Sequence, residues 1–170
     1  MKTFEEMKVK LVNGDINFLK ENLIDYDVNQ FDNYGNNILH YYILNRENIN
    51  ILPDILLDEL IKKRIDLNAK QDKKDKRTAL HLAVFIKSKE IFDLLIKANV
   101  EIDIQDVNGN TPLWLSIMNY RKEEDSYFSK ILLSKGANPN FKNIHDISPK
   151  ELANNISNYD IKKLFSNVSD

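Results

Sequence analysis

An all-α solenoid is the fold class this sequence predicts, and three observations predict it. First, a short frame recurs along the chain. It reads Asp32-x-x-Gly35-x-Asn37-Ile38-Leu39-His40, then Thr78-Ala79-Leu80-His81-Leu82-Ala83, then Asp106-x-x-Gly109-x-Thr111-Pro112-Leu113, with a worn copy in Ser148-Pro149 and Leu152-Ala153. Recurrence with a period in the thirties marks stacked units, none of which can bury its apolar face alone. Second, apolar residues between the copies return at three- and four-residue steps, the period of a helix. Third, helix start and stop signals fall at the ends of those stretches.

Taken in order, Phe4, Met7 and Leu11 share one face of a first helix, with Lys2, Glu5, Glu6, Lys8 and Lys10 around them. Gly14-Asp15 separates it from a second helix that ends before Asp27-Val28-Asn29. Ile38-Leu39-His40 opens the next helix, and Tyr41 and Tyr42 are expected to pack toward the unit that follows. Thr78 and Thr111 stand where a helix needs an N-cap, each hydroxyl able to accept from a backbone N–H about three residues on. Leu80, Val84, Ile91, Leu94, Leu95 and Ala98 then line one face. Pro112 takes the first helical position, where its missing donor costs nothing, and Trp114 is read as core. Gly136, just past Ile131-Leu132-Leu133, is a C-cap requiring positive φ. In the last copy Lys150-Glu151 replaces the Leu-His pair, and the closing helix Asp160-Ile161-Lys162-Lys163-Leu164-Phe165 is polar on one side. A terminal unit with one flank in water needs that polarity.

Composition narrows the function classes. The 170 residues suit one domain or a short array, with 42% hydrophobic and 29% charged residues. There is no cysteine, which rules out a disulfide scaffold, a thiolate metal site and a cysteine nucleophile. The net charge of -2 comes from interspersed signs, 24 Lys+Arg against 26 Asp+Glu, and gives no field that would gather nucleic acid or an anionic membrane. Pro53, Asp54, Asp58 and Glu59 interrupt the most apolar stretch, so no transmembrane helix is expected. The acidic start Met1-Lys2-Thr3-Phe4-Glu5-Glu6 lacks a secretory pattern, which places the protein in the cytoplasm as an expectation.

The recurring residues resemble the ankyrin repeat, whose unit is a β-turn and two antiparallel helices with a D-x-x-G-x-T-P-L-H-x-A signature. The resemblance implies stacked helix–turn–helix units joined by β-turn or hairpin loops, acting as a binding surface. Its units end in G-A-D-x-N, eight residues before the Thr of the next turn. Asn29, Asp103 and Asn140 keep that spacing, while Asn68 lies ten before Thr78, so the turn from Gln71 to Lys76 carries two extra residues. Five units follow, over 1–31, 32–72, 73–105, 106–142 and 143–170, with further insertions around Asn45 to Leu52 and Tyr120 to Tyr127. The resemblance also implies that His40 and His81 are structural, each bonding the neighbouring turn.

Partner-binding positions of the family are the turn tips and the exposed side of each first helix. Carried over, the tips are Asn33, Tyr34 and Asn36, then Arg77 with Lys74 and Asp75, then Val107, Asn108 and Asn110, and finally His145 with Ile144 and Ile147. The helix positions are Leu44 and Asn45, Phe85 and Ile86, and Met118, Asn119 and Tyr120. Leu44, Phe85, Ile86, Met118 and Tyr120 are apolar where the family is usually polar. They form either an exposed binding stripe or a set buried under the inserted segments. The charged insertion Arg121-Lys122-Glu123-Glu124-Asp125-Ser126 is expected to face water, so that deleting Lys122 to Asp125 leaves thermal stability almost unchanged.

The chain shows no nucleophile elbow, phosphate-binding loop, zinc-protease or dinucleotide motif, and His40 and His81 have no partner at ligand spacing. The expectation is a non-enzymatic protein-binding module with no metal and no cofactor, monomeric on its own, whose partner is another protein. Its size, mild acidity and AT-rich residue bias look like those of a bacterial immunity protein that neutralises a cognate toxin. A host-directed effector or a homo-oligomeric assembly subunit is the alternative.

Overall fold

A computed structural model describes residues 2–156 and 159–166, so the tail from 167 to 170 of the last unit lies outside the described residues. The structure is an array of helical hairpins: α1 (Phe4–Asn13) with α2 (Ile16–Asn22), α3 (Ile38–Leu44) with α4 (Pro53–Lys62), and α5 (Ala79–Phe85) with α6 (Lys89–Lys97). Next come α7 (Pro112–Met118) with α8 (Ser126–Ser134), and α9 (Pro149–Asn155) with α10 (Tyr159–Lys163). The first helices α1, α3, α5, α7 and α9 lean on one another in one layer, and α2, α4 and α6 form a second. Phe92 of α6 extends that second layer to α8, meeting Phe128 edge-on at 5.1 Å and Tyr127 at 6.3 Å.

Each first helix starts the same way. Thr3, Asn37, Thr78, Thr111 and Ser148 hold extended backbone, and their side chains accept from the N–H of Glu6, His40, His81, Trp114 and Glu151. In four of the five the partner side chain returns the bond to the cap's own N–H, a capping box that satisfies two helix-end donors at once. Trp114 has no acceptor and cannot return it, so the cap at Thr111 is one-sided. Gly136 has φ 88, with its N–H on Leu133 O and that of Ala137 on Leu132 O, which closes α8 in a Schellman motif.

The predicted core face is buried at Leu80, Val84, Ile91 and Leu95 and half-buried at Leu94 and Ala98. Leu39, Leu80 and Leu113, at equivalent places in three units, are all buried in one continuous core. Trp114 is half-buried against that core. Tyr42 is buried beside α4 and α6 and donates to Ile51 O at 2.7 Å. Tyr41 turns the other way from the expectation, meeting Phe4 of the first hairpin at 6.2 Å, because consecutive residues on a helix point about 100° apart.

The inserted segment of the fourth unit also departs from the expectation. Arg121, Lys122, Glu123 and Glu124 face water, but Asp125 and Ser126 are buried. Asp125 pairs with Lys87 of the preceding unit at 2.8 Å and accepts from the backbone N–H of Arg121 and Lys122. Burial pushes its carboxyl up, yet the Lys87 ammonium and the two amides outweigh burial and hold it below the ordinary range. The segment is therefore a clasp between two units. Asp125→Ala, which leaves those donors unmatched, is expected to lower unfolding free energy by ~1–3 kcal/mol in urea titration. No change would return the segment to a solvated loop.

Candidate docking surface

The site begins with an aspartate. Asp32 Oδ1 accepts from the N–H of Tyr34 and Asn36 at 2.9 and 2.8 Å, folding the turn around one carboxylate. Asp106 does the same for Asn108 and Asn110, and Asn143 for His145 and Ile147. The folded turns then join edge to edge. Asp72 N–H donates to Gly35 O, Val107 N–H to Asp75 O, and Ile144 N–H to Asn108 O, at 2.8 to 2.9 Å. That approach explains the glycine in the frame. Gly109 has φ 74, and a Cβ there would stand 2.9 Å from Asn143 Cα in the next turn. Asp146 takes the same left-handed conformation in the last turn, φ 60.

Two further ladders fix the turns to the helices behind them. His40 Nδ1 accepts from Asn37 N–H, which leaves the proton on Nε2, 3.1 Å from Ala69 O. His81 repeats this with Thr78 N–H and Asn110 O at 3.0 Å. Burial drives both imidazoles down to about 4, against the opposing pull of those carbonyls. At the units' ends, Asn29 Oδ1 accepts from Asp66 N–H, Asn68 Oδ1 from Glu101 N–H, and the Asp103 carboxylate from Asn138 N–H. The motif residues thus set the register by bonding across units.

Of the residues the sequence nominated for a partner, three lie inside. Asn36 and Asn110 are buried because their side chains tie one turn to the next: Asn36 accepts from Gln71 Nε2 at 2.6 Å and Asn110 from Asn143 Nδ2 at 2.9 Å. Tyr120 is only 5% exposed and belongs to the core, since the inserted segment carries it inward after α7 ends. Ile86 and Asn119 are half-buried, and Asn45 is half-buried with its amide on Tyr41 O, capping its own helix. Asn33, Tyr34, Val107, Asn108 and His145 stand exposed on the turn tips.

Leu44, Phe85 and Met118, the last residues of α3, α5 and α7, are 42%, 49% and 46% exposed. The three helices are neighbours in one layer, so these side chains form an apolar row parallel to the row of tips Tyr34, Val107 and Ile144. Between the first two of those helices lies a groove of about 230 Å3, lined by Tyr34, Leu44, Phe85, Lys74, Asp75 and Arg77 among others. Arg77 is half-buried, pairs with Asp75 at 3.3 Å and lays its guanidinium 4.8 Å from the centre of the Phe85 ring. Lys74 stands 5.2 Å over the Tyr34 ring. Gln71, whose amide holds the groove's edge, was not nominated from the sequence, although an amide or acid opens the other turns at the corresponding place.

Among the described residues no group of three or more His, Asp or Glu is placed to hold a metal ion, and no helix is long and apolar enough to cross a membrane. What this geometry offers is surface shape, apolar area and a few fixed charges.

Comparison with known proteins agrees with that architecture. Residues 53–143 match the family described as Ankyrin repeats (3 copies). The chain is 34% identical over 91 residues to the nuclear factor NF-kappa-B p105 subunit of Gallus gallus, covering 50% of this chain and 8% of that protein. It is 30% identical over 93 residues to alpha-latrotoxin-Lhe1a of Latrodectus hesperus, covering 51% of this chain and 7% of the relative. Alpha-latrotoxin-Lt1a of Latrodectus tredecimguttatus is 37% identical over 70 residues, 41% of this chain and 4% of the relative. The chain thus spans less than a tenth of the length of these curated relatives. With the match running over more than half of its residues, the chain belongs to the ankyrin-repeat family, whose repeats support protein–protein interaction.

Proposed function

We propose that the protein is a non-enzymatic docking module, monomeric alone, that binds one partner protein across the face made by the turn tips and the first helices. The observation that carries this reading is the row of Leu44, Phe85 and Met118. Three successive units each leave a large apolar side chain half in water at the same position. Apolar rows of that kind on a folded domain mark interaction sites, and aromatic anchors dominate their energetics. Three adjoining units present enough area for a standard interface of roughly 800 Å2 per side. We keep the five-unit division at 32, 73, 106 and 143, supported at three of those boundaries by Asp32, Asp106 and Asn143, each of which opens a turn.

Within that class we favour neutralisation of a toxin by covering its working surface. The overall charge of -2 does not describe the docking face, where the inserted turn carries Lys73, Lys74, Lys76 and Arg77 against Asp72 and Asp75. The toxin surface that fits is therefore apolar and mildly acidic, rather than the basic surface expected from net charge.

Phe85→Asp with Met118→Asp tests the docking face. The wild-type protein should run as a monomer in light scattering and capture its partner by cross-linking in cells of its own source. The double variant should keep its circular dichroism and lose the capture. A wild-type dimer dissolved by Phe85→Asp would support the assembly-subunit reading instead. Capture that survives both substitutions would remove the face from the function.

A further inference from the structure

The groove between the second and third units contains an unused donor. Arg77 offers one edge of its guanidinium to Asp75, but Nε is buried and donates to nothing among the described residues. Buried donors of a charged group are nearly always satisfied, and leaving one unmatched is costly. Arg77 cannot easily swing away to reach water. Its plane rests on the Phe85 ring, and Phe85 ends a capped helix. Lys74, over the Tyr34 ring, has no ion-pair partner among the described residues. The groove thus holds two cations against one carboxylate, beside the apolar side chains of Leu44 and Phe85.

We infer that this groove receives an acidic side chain of the partner protein, an Asp or Glu flanked by a large apolar residue. The carboxylate pairs with the exposed Lys74 ammonium and with the part of the Arg77 guanidinium that still meets solvent, and the apolar neighbour lies against Leu44 and Phe85. Two cations against one carboxylate favour an acidic group over a carbonyl or hydroxyl, because the charge strengthens each hydrogen bond that it makes. This rests on the docking reading above, and narrows its partner to one chemical pattern at one place.

Selection of phage-displayed random peptides on the folded protein tests it. The enriched sequences should place Asp or Glu next to Leu, Ile, Met or Phe. Their affinity, read by fluorescence anisotropy, should fall about tenfold or more in Lys74→Glu and in Arg77→Gln. Lys74 is exposed, so its reversal leaves folding intact even where Arg77→Gln loosens the turn. Enrichment of neutral or basic peptides, no enrichment, or unchanged affinity in both variants overturns the inference. Peptides that lose affinity in Phe85→Asp but not in the charge variants keep the docking face and reject its acidic partner. Peptides indifferent to all three substitutions reject both.

Discussion

Leu113→Ala is expected to cost ~2–5 kcal/mol of unfolding free energy, the range for emptying a fully buried leucine site. Leu113 has no exposed surface, and its helix α7 is packed against α5, α8 and α9. Truncation therefore loosens contacts on both sides of one internal unit. In an array held by nearest neighbours, such a defect weakens the stack at one junction more than elsewhere. The effect should appear first in the fluorescence of Trp114, the chain's one tryptophan and a neighbour on the same helix, and then in far-ultraviolet circular dichroism. Asn108→Ala, at an exposed tip where the turn bonds use backbone atoms, should stay within about 0.5 kcal/mol of wild type. Equal losses in the two variants would show that the assigned register is wrong.

Acid should destabilise the protein well before its carboxylates are neutralised. His40 and His81 titrate near 6.5 in the unfolded chain, but burial lowers both to about 4 in the fold. Between those values the unfolded chain binds protons that the folded chain refuses, so stability falls as pH drops through that window. Above about 6.5 and below about 4 the two histidines contribute no slope. A difference of this size is worth roughly 3 kcal/mol for each imidazole over the whole window. Asp103, whose carboxyl burial raises, acts in the opposite direction near the acid end. Urea midpoints at about pH 7 and about pH 5 should differ clearly in the wild type and much less in His40→Gln/His81→Gln. A wild-type midpoint that does not move over that interval would mean that the imidazoles are not sealed between turn and helix.

The fold was legible because its determinants are local. N-cap, third-residue partner, apolar period and C-cap all fall within one short helix, so Thr78 with His81 and Ser148 with Glu151 declare helices without reference to the rest of the chain. Glu151, standing where the second and third units have histidine, closes the same box with Ser148. The site was less legible because its decisive contacts span a unit. Asn36 and Asn110 look like free turn tips until Gln71 and Asn143, more than thirty residues away, are seen to hold them. Asp125 sits in what reads as a solvated run of charge, and only its Lys87 partner in the preceding unit reveals a clasp. Tyr120 joins Met118 among the positions carried over from the family, but α7 ends at Met118 and the chain changes direction. The stacking of Arg77 on Phe85 depends on how a turn with two added residues folds, which no repeat pattern encodes.

Amide hydrogen exchange of the protein with and without its captured partner tests the docking face most directly. The expected result is protection of the turns at 33–36, 73–77 and 107–110 and of the C-terminal ends of α3, α5 and α7, around Leu44, Phe85 and Met118. Protection confined to the outer surface of α4, around Ile55 and Ile61, with those turns unchanged, would contradict it.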